Sequence, residues 1–240
     1  CLLFACQKND FQPNSLAAFI AENEDRVLTD TLIACAAGGQ VGFLDDPQTP
    51  VSIFFLPVEG ASEFRYFETP DLSDWDNFEA YQSVDLALEP VFNGYLMRFK
   101  RAATGGERWG RVTYFTEGKL HICNAIRLKD AAKASEFLPQ NVSIDLSQPT
   151  EPRFSWEDGQ IEENAIYFQV VSDAADNLVS GTYTFDRFFQ FYSLDNVVLN
   201  IRDVNPPPML AEGNDYTFTL MGVSEDNWVN LIGQKVFKAQ

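Results

Sequence analysis

Leu210-Ala-Glu-Gly-Asn-Asp-Tyr216 is the stretch that decides the fold of this 240-residue chain. Its last residue opens the alternating run Tyr216-Thr-Phe-Thr-Leu220. Apolar residues at every second position are typical of a β-strand with one buried face. Gly213 favours a turn just before the strand. The stretch therefore predicts a bend that leads into a buried strand.

This stretch resembles the tyrosine corner of fibronectin type III and related immunoglobulin-like domains. The resemblance implies that the Tyr216 ring packs in the core near Leu210, while its hydroxyl bonds to the backbone at the bend. Two upstream segments resemble the same family in the matching order. Residues 152–156 are similar to strand B, which ends on a core tryptophan, and residues 166–171 are similar to strand C.

The rest of the chain also has a β pattern. Short runs rich in Val, Ile, Phe, Tyr and Thr are separated by Gly, Pro, Asn and Asp, as in strands joined by turns. About seven short strands in roughly 100 residues occur twice, which is typical of two β-sandwiches. We therefore predict an all-β chain of two tandem immunoglobulin-like (fibronectin type III-like) sandwiches behind a short N-terminal tether. The first, more divergent sandwich spans 27–130, a linker spans 131–140, and the second sandwich spans 141–240.

The N-terminal residues Leu3-Phe-Ala-Cys6 resemble a bacterial lipobox. The resemblance implies that residues 1–5 are a signal-peptide remnant, that Cys6 carries the lipid anchor, and that residues 6–26 form a tether. The alternative is a short apolar strand in which Cys1 and Cys6 are incidental.

Two further expectations concern this N-terminal region. Residues 14–25 favour one or two helical turns, with Asn14 or Ser15 as the cap. A lipobox followed by tandem sandwiches resembles the envelope lipoproteins of Bacteroidetes-type bacteria, which implies an outer-membrane location.

The charge balance is strongly acidic, with 17 Lys and Arg against 35 Asp and Glu and a net charge of −18. Binding to nucleic acid depends on clustered Lys and Arg, so we expect no nucleic-acid partner. No apolar run approaches the roughly 20 residues of a spanning helix. The expected contact with the membrane is through the lipid anchor alone.

No catalytic constellation emerges from the sequence. His121 is the single histidine, and Cys123 follows on the same face of a predicted strand. Packing of this pair in the sheet is the favoured interpretation, with Cys–His catalysis as the alternative. No nucleophile-elbow, zinc-protease, phosphate-binding or dinucleotide motif is present. We expect a non-enzymatic protein with no cofactor, although the many carboxylates leave paired-acid glycoside hydrolysis open.

Two acidic loops, 71–77 and 172–177, gather oxygen ligands of the kind that calcium prefers. Neither fits the EF-hand register, so solvated turns are expected and no metal site is predicted.

Cys35 and Cys123 leave two alternatives open. In an exported chain they form a disulfide; otherwise they are buried free thiols that pack as small apolar groups. Their spacing does not match a zinc motif.

Aromatic residues are the remaining candidates for a binding surface, because exposed rings at sandwich loops form sugar platforms or protein hot spots. The candidates are Trp75, Phe188, Phe189, Phe191, Tyr192 and Trp228. The alternative for the phenylalanine cluster is burial at the junction of the two sandwiches.

We therefore expect a non-enzymatic, lipid-anchored envelope protein that acts as a binding or scaffold module, with an unidentified envelope protein or glycan as its partner. The alternative is a glycan-binding outer-membrane lipoprotein of a polysaccharide-uptake system. Exposed, coplanar Trp and Tyr rings at the sandwich tips would favour a glycan. A large apolar patch around 188–192 would favour a protein partner.

Overall fold

A computed structural model describes residues 11–39, 46–191, 193–202, 204 and 208–240 of the chain. Cys6 and Tyr192 lie outside the described residues. Within the described part, strands dominate and one short α-helix is present. The predicted all-β class is therefore confirmed.

The first half of the chain forms two sheets, A and B, and the helix. Its elements are α1 (Leu16–Ala21), β1 (Val27–Leu32), β2 (Ala34–Gly38), β3 (Val51–Phe55), β4 (Ser62–Glu68), β5 (Gln82–Val84), β6 (Ala87–Val91), β7 (Leu96–Arg101), β8 (Arg108–Thr116), β9 (Lys119–Cys123) and β10 (Ile126–Leu128). Sheet A has the order β1-β9-β8-β4-β5, with β10 also paired to β8, and sheet B has the order β2-β3-β7-β6.

The second half forms sheets C and D. Its strands are β11 (Glu136–Phe137), β12 (Val142–Asp145), β13 (Arg153–Trp156), β14 (Asn164–Asp173), β15 (Leu178–Thr184), β16 (Phe188–Gln190), β17 (Val197–Asn200), β18 (Asp215–Ser224) and β19 (Val229–Lys238). Sheet C has the order β11-β19-β18-β14-β15-β17, and sheet D has the order β12-β13-β16. In immunoglobulin-like terms, β12, β13 and β16 correspond to strands A, B and E, and β14, β18 and β19 to strands C, F and G.

The predicted tyrosine corner is present at the start of β18. The Tyr216 ring and Leu210 are buried in the cluster between sheets C and D, and Ala211 N donates to the Tyr216 hydroxyl at 2.9 Å. This bond satisfies both polar groups at the bend, as the resemblance implied.

The four sheets are stacked as successive layers, A, B, C and D. Separate apolar clusters fill the spaces between A and B, between B and C, and between C and D. The two sandwiches therefore pack side by side, because sheet B of the first covers sheet C of the second.

Strands in the two inner layers bury both faces. Along β3, Ile53 and Phe55 face sheet A while Phe54 faces sheet C. Along β14, Tyr167 faces sheet D while Phe168 faces sheet B. Side chains alternate along a strand, so a strand covered on both faces needs apolar residues in succession. This requirement explains the continuous runs Val51-Ser-Ile-Phe-Phe55 and Tyr167-Phe-Gln-Val-Val171.

The predicted helical turn is α1, and it belongs to the folded body rather than to a free tether. Ser15 caps it, since Ala18 N donates to the Ser15 hydroxyl at 3.1 Å. Leu16 and Phe19 pack on the outer face of sheet A, and Leu16 N donates to Tyr81 O at 2.9 Å.

The predicted linker 131–140 is also ordered by contacts. Residues 136–137 form β11, which runs parallel to β19. Just before it, the Ser135 hydroxyl accepts a bond from Gly38 N at 3.0 Å and donates to Val229 O at 2.6 Å. The connection is therefore bonded to both sandwiches.

Candidate functional site

The aromatic cluster around β16 is mostly core, which corrects its assignment to the surface. Phe189 and Phe191 are buried between sheets C and D, so they lie inside the second sandwich rather than at the junction. Phe189 stands opposite Phe154 on β13, on the one face of sheet D that is covered. Phe188 is half-buried, with the Arg153 guanidinium carbon 4.1 Å from its ring centroid.

Trp228 is fully buried, which corrects its assignment to a binding surface. It follows the β18–β19 turn as predicted, but this turn inserts into the first sandwich and the indole joins the cluster between sheets A and B. Ala36 N donates to Asn227 O at 3.0 Å, and Asn227 Nδ2 donates to Ala125 O at 2.9 Å. A residue of the second sandwich thus completes the core of the first.

Ion pairs support the same turn. The Asp226 carboxylate accepts bonds from Lys129 Nζ at 2.9 Å and from the Ser224 hydroxyl at 2.5 Å, and Arg127 Nη1 lies 3.8 Å away. Burial alone would raise the pKa of Asp226, but these hydrogen bonds and positive charges outweigh it and hold the pKa below its usual range. The ionised carboxylate links the two sandwiches.

The hairpin between β6 and β7 fixes the opposite end of the junction. Asn93 Nδ2 donates to Ala175 O at 3.0 Å and to Asn177 Oδ1 at 2.8 Å, both on the loop after β14. Phe92 and Asn93 have φ values of 49° and 51°, a conformation that is uncommon for a bulky side chain. Phe92 is buried in the cluster between sheets B and C, and this burial supports the unusual backbone.

A groove of about 660 Å³ lies at the edge of this junction. It is lined by residues 56–59 after β3, residues 93–95 of the hairpin, and Ile201. Val58 is 46% exposed and Tyr95 38%, and Glu59 is the one charged side chain of the lining. Most of the lining belongs to the first sandwich, and Ile201 of the second sandwich completes it.

Strand β17, the outer edge of sheet C, ends directly before Ile201 and pairs with β15 and no other strand of the described residues. Val198 is the extra residue of a β-bulge and is 50% exposed. Leu199 stands opposite Tyr183 and is also exposed. Tyr183 packs against the cluster between sheets B and C, so Leu199 lies on the same face of sheet C as the groove. The sequence did not predict this surface, because its members are scattered along the chain.

Among the predicted surface residues that the structure describes, Trp75 is the one left exposed, at 53%. Two hydrogen bonds hold the backbone of its loop. The Tyr81 hydroxyl donates to Trp75 O at 2.6 Å, and Trp109 Nε1 donates to Leu72 O at 3.2 Å. The loop therefore exposes the Trp75 indole to solvent on a backbone that hydrogen bonds hold in place.

In each of the two acidic loops, a carboxylate accepts hydrogen bonds from residues of the same loop. Asp71 accepts a bond from Ser73 N at 2.8 Å, and Asp173 accepts bonds from Ala175 N and Asn177 N at 2.9 Å each. Bonds from Ser73 and Asn177 lower the pKa of Asp71 and Asp173 respectively. In the described part of the chain, no three His, Cys, Asp or Glu side chains gather as metal ligands.

Cys35 and Cys123 are free thiols, so the disulfide alternative is wrong for this structure. Cys123 faces the cluster between sheets A and B, whereas Cys35 packs against the cluster between B and C. Because sheet B separates these two spaces, the two side chains are not directed toward each other as a disulfide requires. Burial raises the pKa of Cys35 to about 12 and that of Cys123 to about 11.

His121 and Cys123 pack as strand neighbours. The His121 ring lies 5.3 Å from the Tyr114 ring between centroids, and its Nδ1 lies 3.0 Å from the Thr31 hydroxyl oxygen. Burial, together with the Lys119 charge, lowers the pKa of His121. Since the thiolate is the nucleophilic form of cysteine, the raised pKa of Cys123 opposes Cys–His chemistry here.

Comparisons with known proteins leave the family open. No protein family matches the chain, and no curated protein is similar to it. Among solved structures, the chain is similar to the FN1–FN3 domains of chicken CNTN1, with 11% identity and a TM-score of 0.28. The likeness covers 90% of this chain and 65% of that structure.

None of the helices in the described residues is long and apolar enough to span a bilayer.

Proposed function

We propose that this chain is a non-enzymatic binding or scaffold module that is anchored to a bacterial outer membrane through a lipid on Cys6. Its partner is an envelope protein or a glycan, and nucleic acid is not a partner. The observation that carries the binding role is the groove at the junction, because its lining comes from both sandwiches.

Rigidity supports this role. The junction is held by Trp228 at one end, by Asn93 at the other, and by the apolar cluster between sheets B and C. A surface that is already held in its binding conformation loses little conformational freedom when the partner binds. The groove and the Trp75 loop are therefore preorganised surfaces.

The proposed anchor would place this rigid body close to the membrane. Ser83 N donates to Asn14 O at 3.0 Å, so the proposed tether ends before Asn14. The stretch from Cys6 to Asn14, fully extended, spans at most about 29 Å.

Protease treatment of intact cells tests the proposal. The chain is expressed in a Gram-negative host behind an export signal, beside a Cys6→Ala variant. We expect the wild type to sediment with outer membranes and the variant to be released. Cleavage in whole cells would identify a surface-facing module, and cleavage only after outer-membrane rupture would identify a periplasmic one. Membrane retention of Cys6→Ala equal to wild type would refute the lipid anchor.

A glycan is the second candidate ligand, and the rigid exposure of Trp75 favours it. An indole face stacks on sugar rings, and the neighbouring Asp74 and Asp76 carboxylates would accept bonds from hydroxyl groups. Affinity electrophoresis in gels containing soluble polysaccharides tests this, with Trp75→Ala as the variant. Retardation that Trp75→Ala abolishes would support a glycan site, and unchanged mobility in every polysaccharide would exclude those ligands.

A further inference from the structure

We propose that the groove and strand β17 together bind an extended segment of another protein, which adds as a new strand to the edge of sheet C. This inference rests on the proposed binding role and names the chemistry of the partner: apolar side chains at alternate positions, flanked by Lys or Arg.

The edge offers backbone groups for such a strand. Ile201 N donates to Gly181 O at 2.9 Å, and backbone groups in an antiparallel ladder point alternately toward and away from the partner strand. The N–H and C=O of Asn200 therefore turn outward. In the described residues, no strand pairs with this side of β17.

The edge lacks two of the features that prevent pairing. Proteins protect free edges with charged residues, proline, β-bulges and short strands. Strand β6, the edge of sheet B, carries both Glu89 and Pro90. Strand β17, Val197-Val-Leu-Asn200, has neither a charge nor a proline, and its protection is limited to its four-residue length and the bulge at Val198.

The groove would receive every second side chain of the added strand. An added strand points every second side chain to one face of the sheet. On this face Leu199 is followed by Ile201, which lines the groove together with Val58 and Tyr95. Strand addition typically combines backbone bonds for affinity with such side-chain pockets for specificity.

Charge selects a different protein over a second copy of this chain. Asp186 and Asp195 are exposed beside the start of β17, and Glu59 lines the groove. The neighbouring Arg187 is paired with Asp158 at 3.0 Å. The chain has a net charge of −18, so two copies repel each other over long range. A segment flanked by Lys or Arg complements the carboxylates at both ends.

A synthetic nonapeptide tests the inference, with a Val-Thr-Val-Thr-Val core between two lysines at each end. A generic probe suffices because the proposed recognition depends on backbone hydrogen bonds and on alternating apolar side chains, not on a defined sequence. Titration into the full chain, with Cys1 and Cys6 replaced by serine, is followed by calorimetry. We expect saturable binding below 1 mM that weakens about tenfold or more, roughly 1.4 kcal/mol, when alternate core amides along one edge are N-methylated.

Variants locate the binding site. Val58→Lys is expected to weaken binding about tenfold by placing a cation in the groove. Val236→Lys is the matched control, because Val236 is a strand valine that is 72% exposed and does not line the groove. The inference is overturned if the peptide fails to bind at 1 mM, if N-methylation has no effect, or if both variants weaken binding equally. Sedimentation showing a dimer that Val58→Lys dissociates would also overturn it, in favour of a second copy.

This experiment is independent of the membrane anchor. If the peptide does not bind but the wild type is retained in membranes, strand addition is refuted and the lipid anchor is not. If Cys6→Ala is retained in membranes, the lipid anchor is refuted and peptide binding is unaffected.

Discussion

The Trp228 indole lies directly on Gly38, although the two residues belong to different sandwiches. A Cβ atom on Gly38 would stand 2.7 Å from Trp228 Cη2 and 2.5 Å from the Cβ of Asp130. The first sandwich accepts the tryptophan of the second only because β2 ends in a residue without a side chain.

Gly38→Ala is therefore expected to destabilise the protein by about 1–3 kcal/mol, through overpacking at the junction. Urea denaturation followed by circular dichroism gives the free energy of unfolding. Gly106→Ala is the control, since no atom lies within 4 Å of a Cβ at that position, and its effect should stay within about 0.5 kcal/mol. Equal stability of the two variants would contradict the close packing at Gly38.

Tyr216→Phe removes the hydroxyl that accepts the bond from Ala211 N. The buried ring remains, but Ala211 N–H loses its partner, so we expect a loss of about 1–3 kcal/mol in the free energy of unfolding. Tyr95→Phe, which changes an exposed ring, serves as the control and should have little effect. A Tyr216→Phe protein as stable as wild type would mean that water satisfies the bend.

Asp226 makes the junction sensitive to acid. The folded pKa lies below the unfolded value of about 3.9. The ionised carboxylate therefore stabilises the fold fully above the unfolded pKa, and this contribution is lost as the pH falls through the folded pKa. Asp226→Asn should lower stability at pH 7, and its difference from wild type should shrink below about pH 4.

The measurement is the unfolding midpoint in urea at a series of pH values. Asp195→Asn, which changes an exposed carboxylate away from the junction, should show no comparable pH-dependent difference. A constant difference between Asp226→Asn and wild type from pH 7 to pH 3 would argue against ionic stabilisation.

The Cys123 thiol should be unreactive in the native protein, because it is buried and burial raises its pKa to about 11. Cys35 is half-buried with a raised pKa, so it should react slowly. With Cys1 and Cys6 replaced by serine, a chromogenic disulfide reagent at pH 8 is expected to modify at most one thiol until urea is added, and then both. Fast modification of both thiols without urea would contradict the burial of Cys123. Absence of free thiol in urea without reductant would reveal a disulfide.

The sequence predicted those features that depend on neighbouring residues. Alternation and turn residues predicted the β class, and the cap was predicted at Asn14 or Ser15. The resemblance to a tyrosine corner predicted the bend at Tyr216. The features it missed depend on how sheet B packs on sheet C. Trp228 was expected at the surface because it follows a turn, and only the first sandwich, far away in the sequence, buries it. The groove likewise joins Val58, Tyr95 and Ile201, whose proximity no local pattern encodes.

The insertion of Trp228 also sets the order in which the chain matures. Domains usually fold from the N-terminus as they leave the ribosome, but here the first sandwich receives a core tryptophan from the β18–β19 hairpin of the second. Its strands therefore emerge with an incomplete interior and stay so until that hairpin has been synthesised. A nascent chain of this design depends on one downstream hairpin to complete both sandwiches.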